Sequence, residues 1–311
     1  MKAAVIHSYG PVTDVVTVED VPAPAVGPQD VLIEARAAGV NPIDHLIAKG
    51  FMQPEGLTQT RVLGNEVAGV VAAVGAAVTR FAVGDEVFAR VDPRVGAAFA
   101  EFVAVDESLV AAKPAALSFE EAASLPLVAL TAWQALTEHS RLQAGQRVLI
   151  HAGAGGVGAA AIQIAKHLGA EVVTTVSADS VELVRGLGAD QVIDYRNEKF
   201  DELVEPVDIV LDTVGGDTQD RSFPLLKPGG TLVSIVFIPD VEARKAQWGV
   251  QASAFLMHPD GGQLARIAGL VESGELRPVV QSVFPLDQAA QALTQVEGGR
   301  ARGRTVLGIP S

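Results

Sequence analysis

The sequence predicts an α/β protein with a β-rich first part, followed by a parallel sheet flanked by helices. From residue 1 to about residue 117, short β-type runs alternate with Gly and Pro, a pattern typical of an antiparallel, barrel-like unit. From about residue 118, apolar runs are separated by segments of helical length, which indicates βαβ units. At 311 residues, the chain is long enough for two ordinary domains.

The predicted elements form three groups along the chain. The first group consists of strands at residues 2–7, 15–18, 31–37, 66–74, 86–90 and 100–105. The second group opens with a helix over 119–135 and has strands at 147–151, 171–176, 191–193, 208–211 and 231–236. The last group alternates helix and strand over 262–273, 279–284, 286–296 and 304–309. It is expected to rejoin the first domain, which gives domains of 1–117 with 261–311, and 118–260.

Composition argues against several classes of function. The formal charge of -14, without a run of Lys or Arg, opposes binding to nucleic acid or to anionic lipid. No basic segment followed by an apolar run opens the chain, and no apolar run reaches the roughly 18 residues that span a bilayer. We therefore expect a cytoplasmic protein. Because the chain has no cysteine, redox chemistry requires a bound cofactor.

The strongest local motif is a glycine-rich turn between an apolar strand and an Ala-rich helix, at residues 148–166. Three of its glycines fit G-x-G-x-x-G, in which they allow a tight turn, close approach to a pyrophosphate, and close packing of helix on strand. Free N–H groups at the start of the helix then face the phosphates. The expected dinucleotide-binding residues of this turn are Gly153, Ala154, Gly155, Gly156, Val157 and Gly158.

The end of the second strand of this domain distinguishes NAD from NADP. An NAD site places Asp or Glu there, on the ribose hydroxyls. This chain has Ser177, whose hydroxyl is able to donate to a 2'-phosphate, although Asp179 is close enough in sequence to reach the ribose. Tyr195 and Arg196 follow the third strand, either as phosphate or adenine contacts or as an exposed pair. The sequence therefore favours NADP(H).

The order of motifs resembles one known family. The stretches that carry the resemblance are 38–44 (AGVNPID), 63–71 (LGNEVAGVV), 83–87 (VGDEV), 130–134 (LTAWQ), 155–158 (GGVG), 187–190 (LGAD), 212–216 (DTVGG) and 303–307 (GRTVL). Together they are similar to the zinc-independent quinone oxidoreductase branch of the medium-chain dehydrogenase/reductase superfamily. The resemblance implies a GroES-like, β-rich catalytic domain completed by the C-terminus, and a Rossmann doubly wound parallel-sheet domain.

The same comparison argues against a metal. Zinc alcohol dehydrogenases of this superfamily have a Cys ligand near Asn41 and Gly-His-Glu where this chain has Gly-Asn-Glu at 64–66. The four closely spaced Cys of their structural-zinc lobe have no counterpart in residues 88–102. None of the six histidines forms a ligand-spaced pair with another. We therefore expect no metal site.

The resemblance assigns roles to residues of the 38–45 stretch. Asn41 is expected to lie by the nicotinamide and to orient cofactor and substrate carbonyl, because an amide both donates and accepts; the alternative is a turn Asn before Pro42. Asp44 and His45 have two alternatives. They form a proton-handling pair, or they belong to the first turn of a helix that ends at Lys49.

Other positions extend or weaken the resemblance. Thr131 matches a position near the nicotinamide-side phosphate, or else packs within a helix. Val236 and Phe237, after the fifth strand, are expected near the nicotinamide ring. The family often has Tyr where this chain has Leu46, which removes an obvious proton donor, and Lys where it has Ser180, which weakens the NADP preference.

These observations predict an NADPH-dependent reductase that transfers hydride to a quinone or an α,β-unsaturated carbonyl without zinc, with the proton supplied by solvent. An enoyl-thioester reductase is the alternative within the enzymes. A non-catalytic, NADPH-binding redox sensor is the alternative outside them. Relatives commonly dimerise through the last strand of the nucleotide domain, here 249–256, so a homodimer is expected.

Overall fold

Glycine and proline interrupt the apolar runs of the first part of the chain, so its strands and helices are short. The computed structural model describes residues 1–51, 60–299 and 302–310. The elements up to residue 134 are β1 (Lys2–Ile6), α1 (Val12–Val15), β2 (Thr17–Asp20), β3 (Asp30–Val40), α2 (Pro42–Ala48), β4 (Arg61–Val62), β5 (Glu66–Val74), β6 (Glu86–Arg90), β7 (Phe102–Asp106), β8 (Val110–Ala112), α3 (Phe119–Ala123) and α4 (Pro126–Gln134).

The rest of the chain alternates strand and helix more regularly. The elements of the middle part are β9 (Arg147–Ile150), α5 (Gly156–His167), β10 (Glu171–Val176), α6 (Val181–Gly186), β11 (Gln191–Asp194), α7 (Phe200–Leu203), β12 (Val207–Asp212), α8 (Gly216–Ser222), β13 (Leu226–Ser234), α9 (Val241–Trp248) and β14 (Gln251–Ala254). The last elements are α10 (Gly261–Glu272), β15 (Val280–Pro285), α11 (Ala289–Glu297) and β16 (Arg304–Gly308).

Prolines explain two differences from the predicted elements. The strand predicted at 15–18 begins only at Thr17, because Pro11 precedes the short helix α1, in which Val12 is buried. The helix predicted over 119–135 is divided into α3 and α4. Pro126 has no backbone N–H with which to continue α3, and it begins α4 instead.

Strand β3 organises the first sheet and brings the last strand of the chain next to Asn41. The order of this sheet is β15-β16-β3-β5-β6-β8, with β7 also paired to β3, and a smaller sheet has the order β2-β1-β4. Strand β16 runs antiparallel to β3, with Thr305 opposite Val40 and Gly308 opposite Ala37. The C-terminal strand therefore lies beside the point where the chain leaves β3.

The second sheet is parallel throughout, in the order β11-β10-β9-β12-β13-β14. Its central strands are buried apolar runs, as expected where helices cover both faces. The strand order reverses between β9 and β12, and ligands of such sheets bind outside the carboxyl ends of the strands at this point. The predicted fold class, a β-rich domain with a doubly wound parallel-sheet domain, is confirmed.

The contacts within the chain define two units. The first contains Met1–Leu130, Pro259–Gly274 and Pro278–Ser311, and the second contains Thr131–His258 and Glu275–Arg277. Residues 118–130, which we expected in the second domain, fall in the first unit because α3 packs against β3 and β5.

We predict that the last strand is an integral part of the core of the first unit. Leu307 of β16 is fully buried, whereas Val283 of the neighbouring strand β15 is 53% exposed. Leu307→Ala should lower the free energy of unfolding by about 2–5 kcal/mol, because it leaves a cavity. Val283→Ala should cost less than about 1 kcal/mol. Urea denaturation, monitored by far-UV circular dichroism, measures the free energy of unfolding of each variant. Equally small losses in the two variants would contradict the prediction.

Candidate active site

Asn41 occupies the junction between β3 and α2. The following Pro42 favours an extended residue before it, and Asn41 has φ -127° and ψ 157°. Its side chain is fully buried. The amide nitrogen Nδ2 donates to Glu66 Oε1 at 2.6 Å and more weakly to the Gly39 carbonyl at 3.4 Å. Among the described residues, Oδ1 has no hydrogen-bond partner, so a buried acceptor is left for a bound donor.

Glu66, the first residue of β5, is fully buried and accepts hydrogen bonds on both carboxylate oxygens. Its Oε1 accepts from Asn41 and from the Arg304 guanidinium, and its Oε2 accepts from the Leu127 backbone N–H at 2.7 Å. Arg304 also donates through Nε to the Ser124 carbonyl at 2.9 Å. We call Asn41, Glu66 and Arg304 the amide cluster.

The amide cluster fixes which end of the Asn41 side chain is free. A carboxylate paired with a guanidinium only accepts hydrogen bonds, so the NH₂ end of Asn41 must face Glu66 and the carbonyl oxygen must point elsewhere. The approach is close because residue 39 is glycine. A Cβ at Gly39 would lie 2.1 Å from Glu66 Oε1.

Sequence reasoning did not single out Glu66 and Arg304. Both lie inside quoted motifs, GNE at 64–66 and GRTVL at 303–307, and each begins an apolar strand. A charged residue at the start of a buried strand is the signal that was available, since buried charges are normally paired.

Asp44 makes hydrogen bonds at the start of α2. It is fully buried in α2 and accepts from the Asn41 backbone N–H at 2.8 Å and from the Asn65 side-chain amide. Burial away from water raises its pKa to about 6, although these hydrogen bonds oppose the shift. This is the helix-start alternative for Asp44.

His45 does not form a proton-handling pair with Asp44. Successive residues of a helix do not face each other, and no hydrogen bond joins the two side chains in the described part of the chain. His45 is half-buried, beside Glu297 and Lys49. Burial is the main reason that the pKa of His45 lies below its ordinary value; Glu297 opposes this shift and Lys49 adds to it.

In the second unit, the glycine turn joins β9 to α5. Gly155 is the N-cap residue of this helix and has no side chain with which to cap the first N–H groups of α5. A Cβ at Gly153 would lie 2.1 Å from Thr174 Oγ1, and one at Gly158 would lie 2.3 Å from the Ala152 carbonyl oxygen, so both glycines are needed for close packing. The other predicted residues of the turn are Ala154, which is buried, and Gly156 and Val157, which are half-buried.

Ser177 and Tyr195 follow the carboxyl ends of neighbouring strands. The Tyr195 backbone N–H donates to the Val176 carbonyl at 3.1 Å, which places the residues after β10 and β11 side by side. Ser177 is half-buried and its side chain caps no helix, whereas Tyr195 is exposed.

Asp212 holds the turns that follow β12 and β13. Its Oδ1 accepts from the Val214 and Gly215 N–H groups at 2.9 Å each, and its Oδ2 accepts from Ser234 Oγ at 2.8 Å. Ser234 Oγ in turn accepts from the Val236 N–H at 3.1 Å. The backbone of Val236 is therefore anchored by a buried carboxylate.

Phe237 and Thr131 have contrasting environments. Phe237 is 80% exposed, an unusual position for an aromatic side chain, and its carbonyl accepts from Gln219 Nε2 at 3.4 Å. Thr131 is buried in α4.

Most of the predicted cofactor residues of the second unit share one position in the parallel sheet. They follow the carboxyl ends of its strands, and they are the glycine turn, Ser177, Tyr195 and Val236.

His151, next to the glycine turn, is a satisfied structural side chain. Its Nδ1 is 3.0 Å from Thr175 Oγ1 and its Nε2 is 2.8 Å from Ser222 Oγ. Burial lowers its pKa to about 4, so the ring is neutral at physiological pH.

We predict that Asp44 makes folding stability depend on pH. Its pKa in the folded protein, about 6, lies above the ordinary value of 3.8, so the folded state holds this proton more tightly than the unfolded state. Through this group, wild-type stability should rise as the pH falls from 7 to about 4. Asp44→Asn should lack this contribution.

Urea denaturation at pH 4.5, 5.5 and 7 measures the difference between the wild type and Asp44→Asn. Asp287→Asn, which removes one exposed carboxylate of the same unit, controls for the change in net charge. A wild-type minus variant difference that does not vary with pH would contradict the assignment.

Comparison with known proteins places the chain among dehydrogenases. Residues 27–115 match the family described as "Alcohol dehydrogenase GroES-like domain", and residues 187–307 match "Zinc-binding dehydrogenase". The chain is 35% identical to the NAD(P)H oxidoreductase RTN4IP1, mitochondrial, of Danio rerio, over 99% of this chain and 91% of that protein. It is also 35% identical to the chloroplastic NADPH-dependent alkenal/one oxidoreductase of Arabidopsis thaliana, over 99% and 79%.

Solved structures give the same result. The quinone oxidoreductase of Coxiella burnetii has a TM-score of 0.90 and 34% identity, over 100% of this chain and 99% of that one. The quinone oxidoreductase of Escherichia coli complexed with NADPH has a TM-score of 0.89 and 28% identity, over 99% and 100%. The CurK enoyl reductase has a TM-score of 0.89 and 30% identity, over 99% of each chain. The chain therefore belongs to the medium-chain dehydrogenase/reductase superfamily, in a quinone-oxidoreductase-like branch.

Proposed function

We propose that this chain is an NADPH-dependent oxidoreductase that transfers hydride to a quinone or an α,β-unsaturated carbonyl without zinc. The observation that carries the proposal is the amide cluster, which presents the buried and unpartnered Oδ1 of Asn41. The names of the relatives, which include a quinone oxidoreductase and an alkenal/one oxidoreductase, support the class of substrate.

The second unit fits a dinucleotide. The uncapped N–H groups at the start of α5 are suited to a pyrophosphate, and the close packing at Gly153 and Gly158 leaves the turn without obstructing side chains. Ser177 and Tyr195 would hold the adenosine ribose and its 2'-phosphate. Thr131 would lie near the nicotinamide-side phosphate. When bound, NADPH supplies the hydride.

On the nicotinamide side, the chain contributes positioning. Val236 and Phe237 would pack near the ring, with the Val236 backbone held by Ser234. Asn41 would accept a hydrogen bond through Oδ1, because its Nδ2 is engaged by Glu66. Fixing these groups before the ligand binds lowers the entropic cost of orientation.

The amide cluster does not fit zinc, although zinc appears in the description of one matched family. Both oxygens of Glu66 are occupied by donors, one of them the cationic Arg304, and a cation beside the site opposes a second one. No group of three or more His, Asp or Glu residues in the described ranges is arranged to hold a metal. Conjugated acceptors spread the charge that develops during hydride transfer, so they need no Lewis acid.

In the proposed reaction, solvent donates the proton to the product. Both oxygens of Asp44 are engaged inside the protein, His45 is not hydrogen-bonded to it in the described part of the chain, and Leu46 has no proton to give. The role of the protein at this step is to hold the acceptor while water donates.

An enoyl-thioester reductase is a second candidate, favoured by the likeness to the CurK enoyl reductase. Thioester substrates are also conjugated acceptors of hydride. They differ from quinones in carrying a long, anionic or protein-bound arm, which this acidic chain is less suited to attract.

We further propose that the protein is a homodimer that forms through β14, the edge strand of the parallel sheet. Trp248 and Leu256, which flank this strand, are 40% and 76% exposed. Size-exclusion chromatography with light scattering should give twice the mass of 32.2 kDa, and a monomer would contradict the proposal.

Two points concern location in the cell. Every helix in the described ranges is too short or too polar to cross a membrane. A cytoplasmic location stays a prediction, since the Danio rerio relative is described as mitochondrial.

We predict NADPH oxidation with 1,4-benzoquinone and with simple enones, unchanged by a metal chelator. Asn41→Ala should lower kcat/KM by about 100-fold, because misplaced reactants cost on this order. Gln143→Ala, which removes an exposed amide, should have no effect. Stopped-flow absorbance at 340 nm measures these rates.

The alternatives give different results in the same assay. Turnover with crotonyl-thioesters alone would assign an enoyl-thioester reductase. Tight NADPH binding without turnover across the panel, unchanged by Asn41→Ala, would assign a redox sensor and refute the proposed function.

A further inference from the structure

We propose that the Asn65 side chain rotates between two orientations, one presenting its carbonyl oxygen and one presenting its NH₂ group, and that the NH₂ group binds the carbonyl oxygen of the substrate. The inference rests on the proposed function and adds a residue that would contact the substrate. Asn41 leaves this contact unmade. Its free Oδ1 and the oxygen of a quinone or enone both only accept hydrogen bonds, so they do not pair with each other.

Asn65 lies beside Asn41 because Asp44 joins the two residues. The Asp44 carboxylate accepts from the Asn41 backbone N–H through Oδ2 and from Asn65 Nδ2 through Oδ1. Asn65 also directly precedes Glu66, which holds the Asn41 amide. The Asn65 side chain is 1% exposed, and its Oδ1 has no hydrogen-bond partner among the described residues. The site therefore contains a second buried acceptor that is left for a bound group.

The backbone of Asn65 is held in place, so a rotation involves only its side chain. The Asn65 carbonyl accepts from the Val91 N–H at 2.8 Å and from Arg90 Nη1 at 2.7 Å. The preceding Gly64 has φ +93°, and a Cβ there would lie 2.3 Å from Phe99 Cδ1. A rotation of the amide about its Cβ–Cγ bond exchanges Oδ1 and Nδ2 and leaves all these contacts unchanged.

Asn41 and Asn65 differ in the carboxyl group that sets their orientation. Nδ2 of Asn41 donates to Glu66, and the ion pair of Glu66 with Arg304 keeps that carboxylate an acceptor. Nδ2 of Asn65 donates to Asp44, whose side chain forms no ion pair in the part of the chain that the structure describes. The orientation of Asn41 is therefore fixed, whereas that of Asn65 depends on whether Asp44 holds a proton.

A proton on Asp44 reverses the orientation of Asn65. Asp44 Oδ2 faces a backbone N–H, which only donates, so the proton must reside on Oδ1, the oxygen that faces Asn65. Oδ1 is then a donor, and Asn65 turns its carbonyl oxygen toward it. The NH₂ group of Asn65 takes the place that the unpartnered oxygen had. A buried donor thus replaces a buried acceptor, and a donor is what stabilises the negative charge that develops on a substrate oxygen.

The charged groups around Asp44 allow it to hold this proton. Burial raises the pKa of Asp44 to about 6, although its hydrogen bonds oppose the shift. Arg90 of β6 lowers this pKa and Glu66 of β5 raises it. The Arg90 guanidinium donates to the backbone carbonyls of Asn65 and Val91 and makes no hydrogen bond to Asp44 among the described residues.

The charged groups on the helices that pack against α2 contact other residues or solvent. These helices are α1 and α11. Asp14 of α1 is exposed, and Glu297 of α11 pairs with Lys49 and lies beside His45. The orientation of Asn65 should therefore follow Asp44, with the donor orientation predominating as the pH falls below about 6.

Selective labelling detects the rotation without turnover. The chain has three asparagines, Asn41, Asn65 and Asn197. The full-length protein, labelled with ¹⁵N at the asparagine side-chain amides, should give three NMR signals, which Asn65→Ala and Asn197→Ala assign. The Asn65 signal should titrate with a midpoint near pH 6, because its NH₂ group leaves a carboxylate. The Asn41 signal is the internal control and should change far less, because its NH₂ group stays on Glu66.

Asp44→Asn should hold Asn65 in the donor orientation at every pH. The new amide must turn its oxygen toward the Asn41 N–H, so its NH₂ group faces Asn65 as the proton of the acid does. The Asn65 signal of this variant should not titrate. Asp287→Asn, which removes an exposed carboxylate of the same unit, should keep the wild-type titration.

Stopped-flow oxidation of NADPH with 1,4-benzoquinone tests whether the donor reaches the substrate. At pH 5.5, Asn65→Ala should lower kcat/KM by about tenfold or more, the scale of one hydrogen bond to a developing charge. The loss should be smaller at pH 7.5, where the wild type presents the acceptor. In the Asp44→Asn background, the loss caused by Asn65→Ala should be the same at both pH values. Gln143→Ala, which removes an exposed amide, should match the wild type at both.

Two results would overturn the inference. One is an Asn65 signal that does not titrate, or that titrates equally in Asp44→Asn. The other is an Asn65→Ala variant whose loss of kcat/KM is absent or is the same at both pH values. If the Asn65 signal follows Asp44 but no acceptor is reduced, the proposed function fails together with the substrate contact, while the rotation stands.

Discussion

The buried ion pair between Glu66 and Arg304 is the interaction on which the site of the first unit depends. Removing a carboxylate and a guanidinium from water costs several kcal/mol for each ion, and only good geometry with further hydrogen bonds offsets this cost. The Leu127 N–H and the Ser124 carbonyl supply those bonds. These bonds fix the position of the pair, and Glu66 in turn fixes the position of the Asn41 amide through Nδ2.

An amide in place of a metal limits what the proposed site is able to activate. The free atom of Asn41 is Oδ1, which only accepts hydrogen bonds, so this side chain does not polarise a carbonyl oxygen as a divalent cation does. The substrate must then stabilise its own developing charge, as quinones and enones do by conjugation. The arrangement around Asn41 and the proposed class of acceptor are consistent for this reason.

The sequence was sufficient for the fold class because its signals are local. The glycine turn, the alternation of strand and helix after residue 118, and the apolar runs each reflect the conformation of a few neighbouring residues. The two differences between the predicted and the observed elements also have local causes. Pro11 and Pro126 changed a strand start and divided a helix, which the apolar pattern alone does not reveal.

The site was only partly predictable, because its key contacts join distant parts of the chain. Asn41 was identified from a motif, but its partner Glu66 lies 25 residues further along, and Arg304, which pairs with Glu66, lies another 238 residues away. Nothing in the spacing shows that Glu66 and Arg304 meet, since their pairing depends on β16 returning to β3. One hydrogen bond of Asp44 likewise comes from the Asn65 side chain, and no pattern in a single sequence indicates that these two residues are in contact.

The return of β16 to β3 also sets the order in which the first unit is completed during synthesis. Asn41 and Glu66 are synthesised well before Arg304, which is added 238 residues after Glu66. Until then Glu66 lacks its cation and β16 is missing from the sheet, although every residue of the second unit, whose last segment is Glu275–Arg277, has already been added. A nascent chain would thus complete its parallel sheet before the amide cluster, and a chain released early would carry this sheet without the amide cluster.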